Sequence, residues 1–187
     1  MAVPRSVRQI DWTTWQPTER AVLCFVRDRG RLLLIHKKTG LGAGKINAPG
    51  GRIDPGETAA EAAVRETREE VGVTPGRMRQ VGELHFQFTD GYGLHGSVFF
   101  ADSHTGTPHA TAEADPFWCP EKEIPYDRMW QDDRHWLPLA LDGVPFRACF
   151  VFDDDRMLSR RVVKVRTDPA PAQHRRRAAS APTQRSA

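Results

Sequence analysis

Hydrophobic residues recur along this chain in two periods. From Arg20 to Arg27, and again from Arg31 to Lys37, apolar and β-branched residues run almost unbroken on either side of Asp28-Arg29-Gly30. Two such runs around a short Asp/Gly turn predict strands joined as a hairpin. Between Thr58 and Val71 the period changes to 3.6, with Ala60, Ala63, Val64, Thr67 and Val71 forming one stripe. That spacing predicts a helix with the stripe buried. Thr58 and Glu61 make a capping box, and Gly72 stands where a left-handed glycine ends a helix. Further strands are predicted at 79–89, 94–102 and 115–119. A short helix at 132–141 contains Pro138 as a potential break. Strands at 146–152 and 157–166 close the pattern around Asp153-Asp154-Asp155. Strands outnumber helices and the strongest helix lies between strands, so the fold class is α+β or α/β, a sandwich with a mixed sheet. Residues 1–19 hold Trp12 and Trp15 but no period, and are read as an amino-terminal arm.

Charge changes this picture in one place. The chain of 187 residues has a net charge of +3, which invites a polyanion-binding reading. Residues 169–187 contain Arg175, Arg176, Arg177 and Arg185 and no acid, leaving 23 basic against 24 acidic residues in 1–168. The excess therefore belongs to the tail. Its Ala, Pro, Ser, Gln, Thr and Arg cannot bury enough apolar surface to offset ordering, so 168–187 is expected to be disordered. The hydrophobic content of 39% suits one folded domain at 20–167. No stretch approaches the roughly 18 apolar residues of a membrane span, and Arg5 and Arg8 precede no apolar run of a secretory signal. Cys24, Cys119 and Cys149 are widely spaced and apolar in context, as expected of reduced core residues in a cytoplasmic protein.

The most informative segment is Gly51 to Val73, GRIDPGETAAEAAVRETREEVGV. Glu66, Glu69 and Glu70 fall at i, i+3 and i+4 and so share one helix face. Three carboxylates together repel unless cations intervene or one holds a proton. Hard oxygen donors without His or Cys suit Mg²⁺, with Mn²⁺ as a substitute. The plainer alternative is a solvated acidic face balanced by Arg65 and Arg68. The Pro49-Gly50-Gly51 turn and a second glycine-containing loop precede the Arg65–Glu70 stretch, and such a loop lets backbone approach a ligand closely.

Gly51, Glu57, Arg65, Glu66, Glu69, Glu70, Gly72 and Val73 stand at the spacing GX5EX7REUXEEXGU, and the segment resembles the Nudix box. Thr67 departs from it, standing where an aliphatic residue is usual, which implies altered packing with the chemistry kept. The resemblance implies a Nudix-type α/β/α sandwich and Mg²⁺-dependent hydrolysis of a nucleoside diphosphate linked to another group. It also implies that Glu66, Glu69 and Glu70 bind metal, that one of them positions or deprotonates water, and that Arg65 orients a carboxylate. Glu57 then supports the loop.

Three further features bear on the substrate. They are the glycine-rich run Lys37 to Asn47, the alternating aromatics Phe86-Gln87-Phe88, and Trp130-Gln131-Asp132-Asp133-Arg134-His135-Trp136. An indole beside two acids offers a stacking surface and an edge-reading pair, the two things a purine needs. The alternative for the acids is a helix cap. From about Val22 to Val165 the order of these features is similar to the eukaryotic-type MutT homologues, Nudix enzymes that hydrolyse oxidised purine nucleoside triphosphates. That similarity implies that Asn47 hydrogen-bonds the base, Asp132 and Asp133 read its edge with one holding a proton, and Trp130 stacks. Phe86 lines the pocket, Lys37 lies near it, and Glu113 is an additional metal carboxylate. Leu41 in place of an aromatic, Ala48-Pro49 before the glycines, and Ala21-Val22 in the first strand depart from that pattern and bear on base selectivity. The resulting expectation is a cytoplasmic, monomeric enzyme that sanitises the nucleotide pool by releasing monophosphate and pyrophosphate from oxidised purine triphosphates such as 8-oxo-dGTP. Its partner is a small nucleotide, with nucleic acid restricted to weak tail contacts. Alternatives are hydrolysis of ADP-ribose, a nucleotide sugar or a dinucleotide, or a non-catalytic module that binds nucleotide or RNA.

Overall fold

The computed structural model describes residues 3–165. The tail from 168 onward and Arg166, the end of the last predicted strand, lie outside the described residues. The first strand, β1 (Glu19–Asp28), pairs with β2 (Arg31–Lys37) only at Arg27↔Leu32 and Asp28↔Arg31. The predicted hairpin is therefore confined to its tip. Beyond it, β1 runs parallel to β5 (Gly93–Thr105), in register from Glu19↔Leu94 to Val26↔Ala101. The reason lies in the unbroken apolar run. A strand that is apolar on both faces must be covered on both, which an isolated hairpin cannot provide.

The main sheet continues from β5 to antiparallel β4 (Thr74–Phe88), then to parallel β7 (Phe146–Asp153) and antiparallel β8 (Arg156–Lys164). Meanwhile β2 carries β3 (Ile46–Asn47) and β6 (Ala114–Pro120), both antiparallel. Alternate residues serve different layers. Val22, Cys24 and Val26 of β1, with Phe99 and Ala101 of β5, pack under α1 (Ala59–Val71). Phe25 and Phe100 turn the other way, onto Trp136, Leu137 and Ala140 of α2 (Asp133–Leu141). The result is an α/β/α sandwich around a mixed sheet, the mixed sheet as the sequence pattern predicts and the layer order as the resemblance implies.

Both ends of α1 follow the sequence reading. Thr58 and Glu61 form a reciprocal capping box, and Gly72 is left-handed at φ 73°. The buried stripe needs correction, since Ala60 is exposed and Val64 only partly covered, whereas Ala62 and Glu70 are buried. Periodicity assigns a glutamate to solvent by type, but Glu70 finds its partners inside the protein. Pro138 does not break α2, which continues to Leu141.

The amino-terminal arm packs against the sheet. A 3-10 turn at Val7–Gln9, capped by Ser6, places Val7 against Cys149 and Val151 of β7. Trp12 and Trp15 then cover His85 of β4, at ring-centroid distances of 6.0 and 5.4 Å. The indole N–H groups donate to the Val7 carbonyl and to Gln87 Oε1, each at 2.8 Å. By register, His85 lies on the sheet face that α1 covers farther along, so helix and arm divide that face between them. Burial, with His95 alongside, pushes His85 down to about 4, and burial lowers His95 as well. The three cysteines are free and buried. Among the described residues no helix is long and apolar enough to cross a membrane.

Candidate active site

The glycines ahead of α1 bring two pieces of backbone close together. The loop runs beside β1, with the Cys24 and Val22 N–H groups donating to the Pro49 and Gly51 carbonyls, both at 2.8 Å. A Cβ on Gly50 would overlap the Val22 carbonyl, and one on Gly51 would overlap the Glu66 carboxylate. Only glycine permits this approach.

Behind the loop, Arg65 organises the acids. Its Nε and Nη2 donate to the two oxygens of Glu57 at 2.9 and 2.8 Å, a bidentate pair. Its Nη1 donates to Glu66 Oε1 at 2.7 Å and Glu69 Oε2 at 3.2 Å, and Nη2 also reaches the Arg52 carbonyl at 2.9 Å. Hydrogen bonding to Arg65 lowers the Glu57 pKa. Glu57 thus supports the loop, as its place in the box implies.

The three box glutamates share one helix face but differ in depth. Glu70 is 2% exposed. Its Oε1 accepts from Lys37 Nζ at 2.7 Å and its Oε2 from the Gly50 N–H at 2.9 Å. Glu66 is half-buried, and desolvation raises its pKa despite Arg65. Glu69 extends outward, its side chain 56% exposed. Thr67 is fully buried, and its hydroxyl donates to the Ala63 carbonyl one turn back at 2.7 Å. The departure from the box therefore leaves no unsatisfied polar group.

A cavity of about 390 Å³ opens next to this face. Lys37, Gly50, Gly51 and Glu113 line one end, and Asn47, Phe86, Trp130, Asp132 and Asp133 line the other. Glu66, Glu69 and Glu70 stand beside or behind the wall. Thr111 ties the Glu113 loop to α1 by donating to the Glu70 carbonyl at 2.9 Å. At the aromatic end, Phe86 stacks on Phe150 at 5.3 Å, and Trp130 meets Phe152 edge-on at 5.6 Å. Gly42 of the glycine-rich loop leaves room for the Trp130 indole, and Lys45 Nζ lies 5.0 Å over that ring.

The adjacent aspartates are both buried, at 2% and 3% exposure. Asp132 does not cap α2 with its side chain. Its Oδ2 instead accepts from Trp136 Nε1 at 2.8 Å, while its buried Oδ1 has no partner among the described residues. Asp133 Oδ2 accepts from the Trp130 backbone N–H at 3.1 Å. Burial pushes Asp132 up to about 6, and burial together with the Asp132 charge raises Asp133 well above the usual carboxylate range. Such a pair keeps a proton where an exposed carboxylate would lose it. Asn47 Oδ1 accepts from the Ala48 N–H at 2.9 Å, leaving its amide N–H₂ to donate.

Nine residues of the sequence-based site line this cavity; Glu70 and Glu66 meet its wall at Lys37, Gly50 and Gly51, Arg65 meets it at the Arg52 carbonyl, and Glu69 is joined to it through Arg65. Sequence reasoning missed Phe152, Leu84 and Leu94 of the wall, and Glu19, Arg52 and Tyr92 at the rim. The alternation of Phe146, Phe150 and Phe152 was a signal for the first of these. The rim residues carried none, because they meet only through strand pairing.

Residues 17–140 match the family described as NUDIX domain. The chain is similar to the oxidized purine nucleoside triphosphate hydrolase of Danio rerio, 40% identical over 70% of this chain and 84% of that one. The Mus musculus protein of the same name is 38% identical over 73% of this chain and 89% of its own. Among solved structures, a MutT protein from Bacillus halodurans superposes with a TM-score of 0.70 at 26% identity, covering 77% of this chain and 97% of that one.

Proposed function

The chain belongs to the NUDIX domain family, and we propose that it hydrolyses oxidised purine nucleoside triphosphates, 8-oxo-dGTP among them, to the monophosphate and pyrophosphate. The observation that carries this reading is the buried Asp132–Asp133 pair. Both aspartates line the same cavity as Gly50 and Gly51 of the loop ahead of the carboxylate helix. A site that recognises phosphates alone gains nothing from burying two acids, whereas a purine edge presents both donors and acceptors to them. The protonated aspartate donates and the ionised oxygen accepts, Trp130 stacks on the ring, and the Asn47 amide donates. Relatives bearing the name oxidized purine nucleoside triphosphate hydrolase, similar over most of the chain, support the same substrate class.

Nudix hydrolases use divalent cations, and the donor set fits one. Among the described residues, Glu57, Glu66, Glu69 and Glu70 face only Arg65 and Lys37 as cationic partners, so the cluster keeps net negative charge and offers hard oxygens. We take the ion to be Mg²⁺, held by Glu66, Glu69 and Glu70 with Glu113 as a further donor from the opposite wall. Such an ion would supply charge neutralisation for the phosphates in the transition state. Arg65 fixes Glu66 and Glu69 in place, and Glu69, the most exposed of the three, has the access to water that proton removal needs. Lys37 balances Glu70 and holds it against the Gly50 N–H. The protein acts as a cytoplasmic monomer on a small nucleotide.

The test is pyrophosphate release from 8-oxo-dGTP and dGTP by the purified chain with and without Mg²⁺. Preferential Mg²⁺-dependent turnover of the oxidised nucleotide is expected. Equal, negligible rates on both would refute the assignment, and a panel containing ADP-ribose, nucleotide sugars and dinucleotides would then identify the substrate.

A further inference from the structure

The strands that line the base pocket carry a second group of chemistry-bearing side chains on their other face. Phe86 and Leu84 point into the pocket, so Glu83 and His85, one position out of phase, point away. Register places His95 of β5 directly opposite His85 on one side and Cys149 of β7 opposite it on the other. The two imidazoles have centroids 4.9 Å apart. Glu83 follows two residues along the same face of β4. One ligand atom from each of Glu83, His85 and His95 falls within 4.8 Å of the others.

We propose that Glu83, His85 and His95 form a binding site for Zn²⁺ that is separate from the carboxylate helix and lies on the sheet face opposite the base pocket. Two imidazole nitrogens and one carboxylate oxygen are a zinc donor set, and imidazole donors disfavour Mg²⁺. A zinc tetrahedron with ligands at about 2.0–2.1 Å has edges of about 3.4 Å. Reaching that spacing requires the three side chains to turn toward one another, and the cross-strand pair already brings the two rings together. Neighbouring groups hold the ligands in place. Arg147 Nε donates to Glu83 Oε2 at 2.9 Å, orienting the carboxylate and leaving its other oxygen to the metal. Cys149 Sγ contacts His85 Nδ1 at 3.8 Å, which leaves Nε2 as the ligating nitrogen. Trp12 and Trp15 of the arm cover His85 and limit the access of water. A bound ion pins β4 to β5 directly behind Leu84 and Phe86, and so stiffens the pocket wall without contacting substrate.

The experiment uses the full chain, stripped by chelation, in excess Mg²⁺. Zinc is titrated against a chromogenic chelator while tryptophan fluorescence, to which Trp12 and Trp15 contribute, is followed. One Zn²⁺ per chain, bound in competition with Mg²⁺ and accompanied by a tryptophan signal, is expected. His95→Gln and Glu83→Gln should each weaken binding about tenfold or more, and Glu69→Gln should leave the titration unchanged. Circular dichroism establishes that each variant is folded, and a variant that is not is replaced by His85→Gln. Failure of the wild-type chain to hold zinc over Mg²⁺, unchanged affinity in both ligand variants, or loss of zinc in Glu69→Gln would overturn the proposal. None of these readouts depends on the substrate.

Discussion

The two ends of the pocket both gather carboxylates, and they treat them in opposite ways. At the helix end, Glu57, Glu66, Glu69 and Glu70 surround Arg65 and Lys37, and one of them extends into solvent. At the aromatic end, Asp132 and Asp133 are buried, and among the described residues neither pairs with a basic side chain. Their partners are an indole N–H and a backbone N–H. Acids set around cations have their charge partly balanced, and a surplus of them attracts a further cation. Buried acids without cations relieve their desolvation by keeping a proton. In the proposed reaction the same carboxyl group thus serves as metal ligand at one end and as hydrogen-bond donor at the other, and the surroundings decide which.

Substitutions at each end put this contrast to the test. The largest effect is expected from Glu69→Gln, which removes a charge where charge is the function. Turnover should fall by about 10²-fold or more while thermal unfolding barely moves, because the side chain is largely exposed. A rate within a few-fold of the parent would remove Glu69 from the catalytic set. Glu70→Gln strands the Lys37 ammonium beside a neutral amide. It should therefore cost stability as well as rate, about 3 kcal/mol in a denaturant titration; an unchanged unfolding midpoint would show that the buried ion pair is not what holds that corner.

At the other end, Asp133→Asn should leave phosphate chemistry largely intact and reduce the preference for oxidised over ordinary purine by about 1–3 kcal/mol, read as a ratio of kcat/KM values. The same variant should be more stable than the parent at pH 8. Both aspartates have pKa values raised in the folded state, so their stabilisation is complete below the ordinary carboxyl value of 3.8. It is lost as pH rises through about 6 for Asp132 and further for Asp133. Melting curves of parent and variant should therefore converge near pH 4 and separate towards pH 8. Parallel curves would mean the pair carries no proton. The smallest effect is expected from Thr67→Val, which restores an aliphatic residue at a position with no role at either end. Turnover should be unchanged and stability should shift by less than about 1 kcal/mol.

What could be read in the linear chain followed the range of the interaction involved. Thr58, Glu61 and Gly72 mark the ends of α1 through contacts spanning only a few residues, and the structure has them in those roles. The spacing of Glu66, Glu69 and Glu70 required only a helix. Glu70 also shows where periodicity fails: its burial depends on Lys37, which β2 delivers from 33 residues away. The hairpin at 20–37 forms only at its tip for a similar reason: beyond Arg27↔Leu32 the loop at 49–51, not β2, pairs with that edge of β1. Trp12 and Trp15 have no period because they pack singly onto His85 and Gln87.

The sequence by itself determined the helix, its caps, the run of carboxylates and the residues available to a purine, because each is set by chain-local geometry and residue type. Only the tertiary structure decided which acids are ionised. That depends on depth and on partners brought from other strands, and desolvation and ion pairing act through space. The same folding placed Glu83, His85 and His95 in one cluster behind the pocket, a grouping that strand register creates and sequence order conceals.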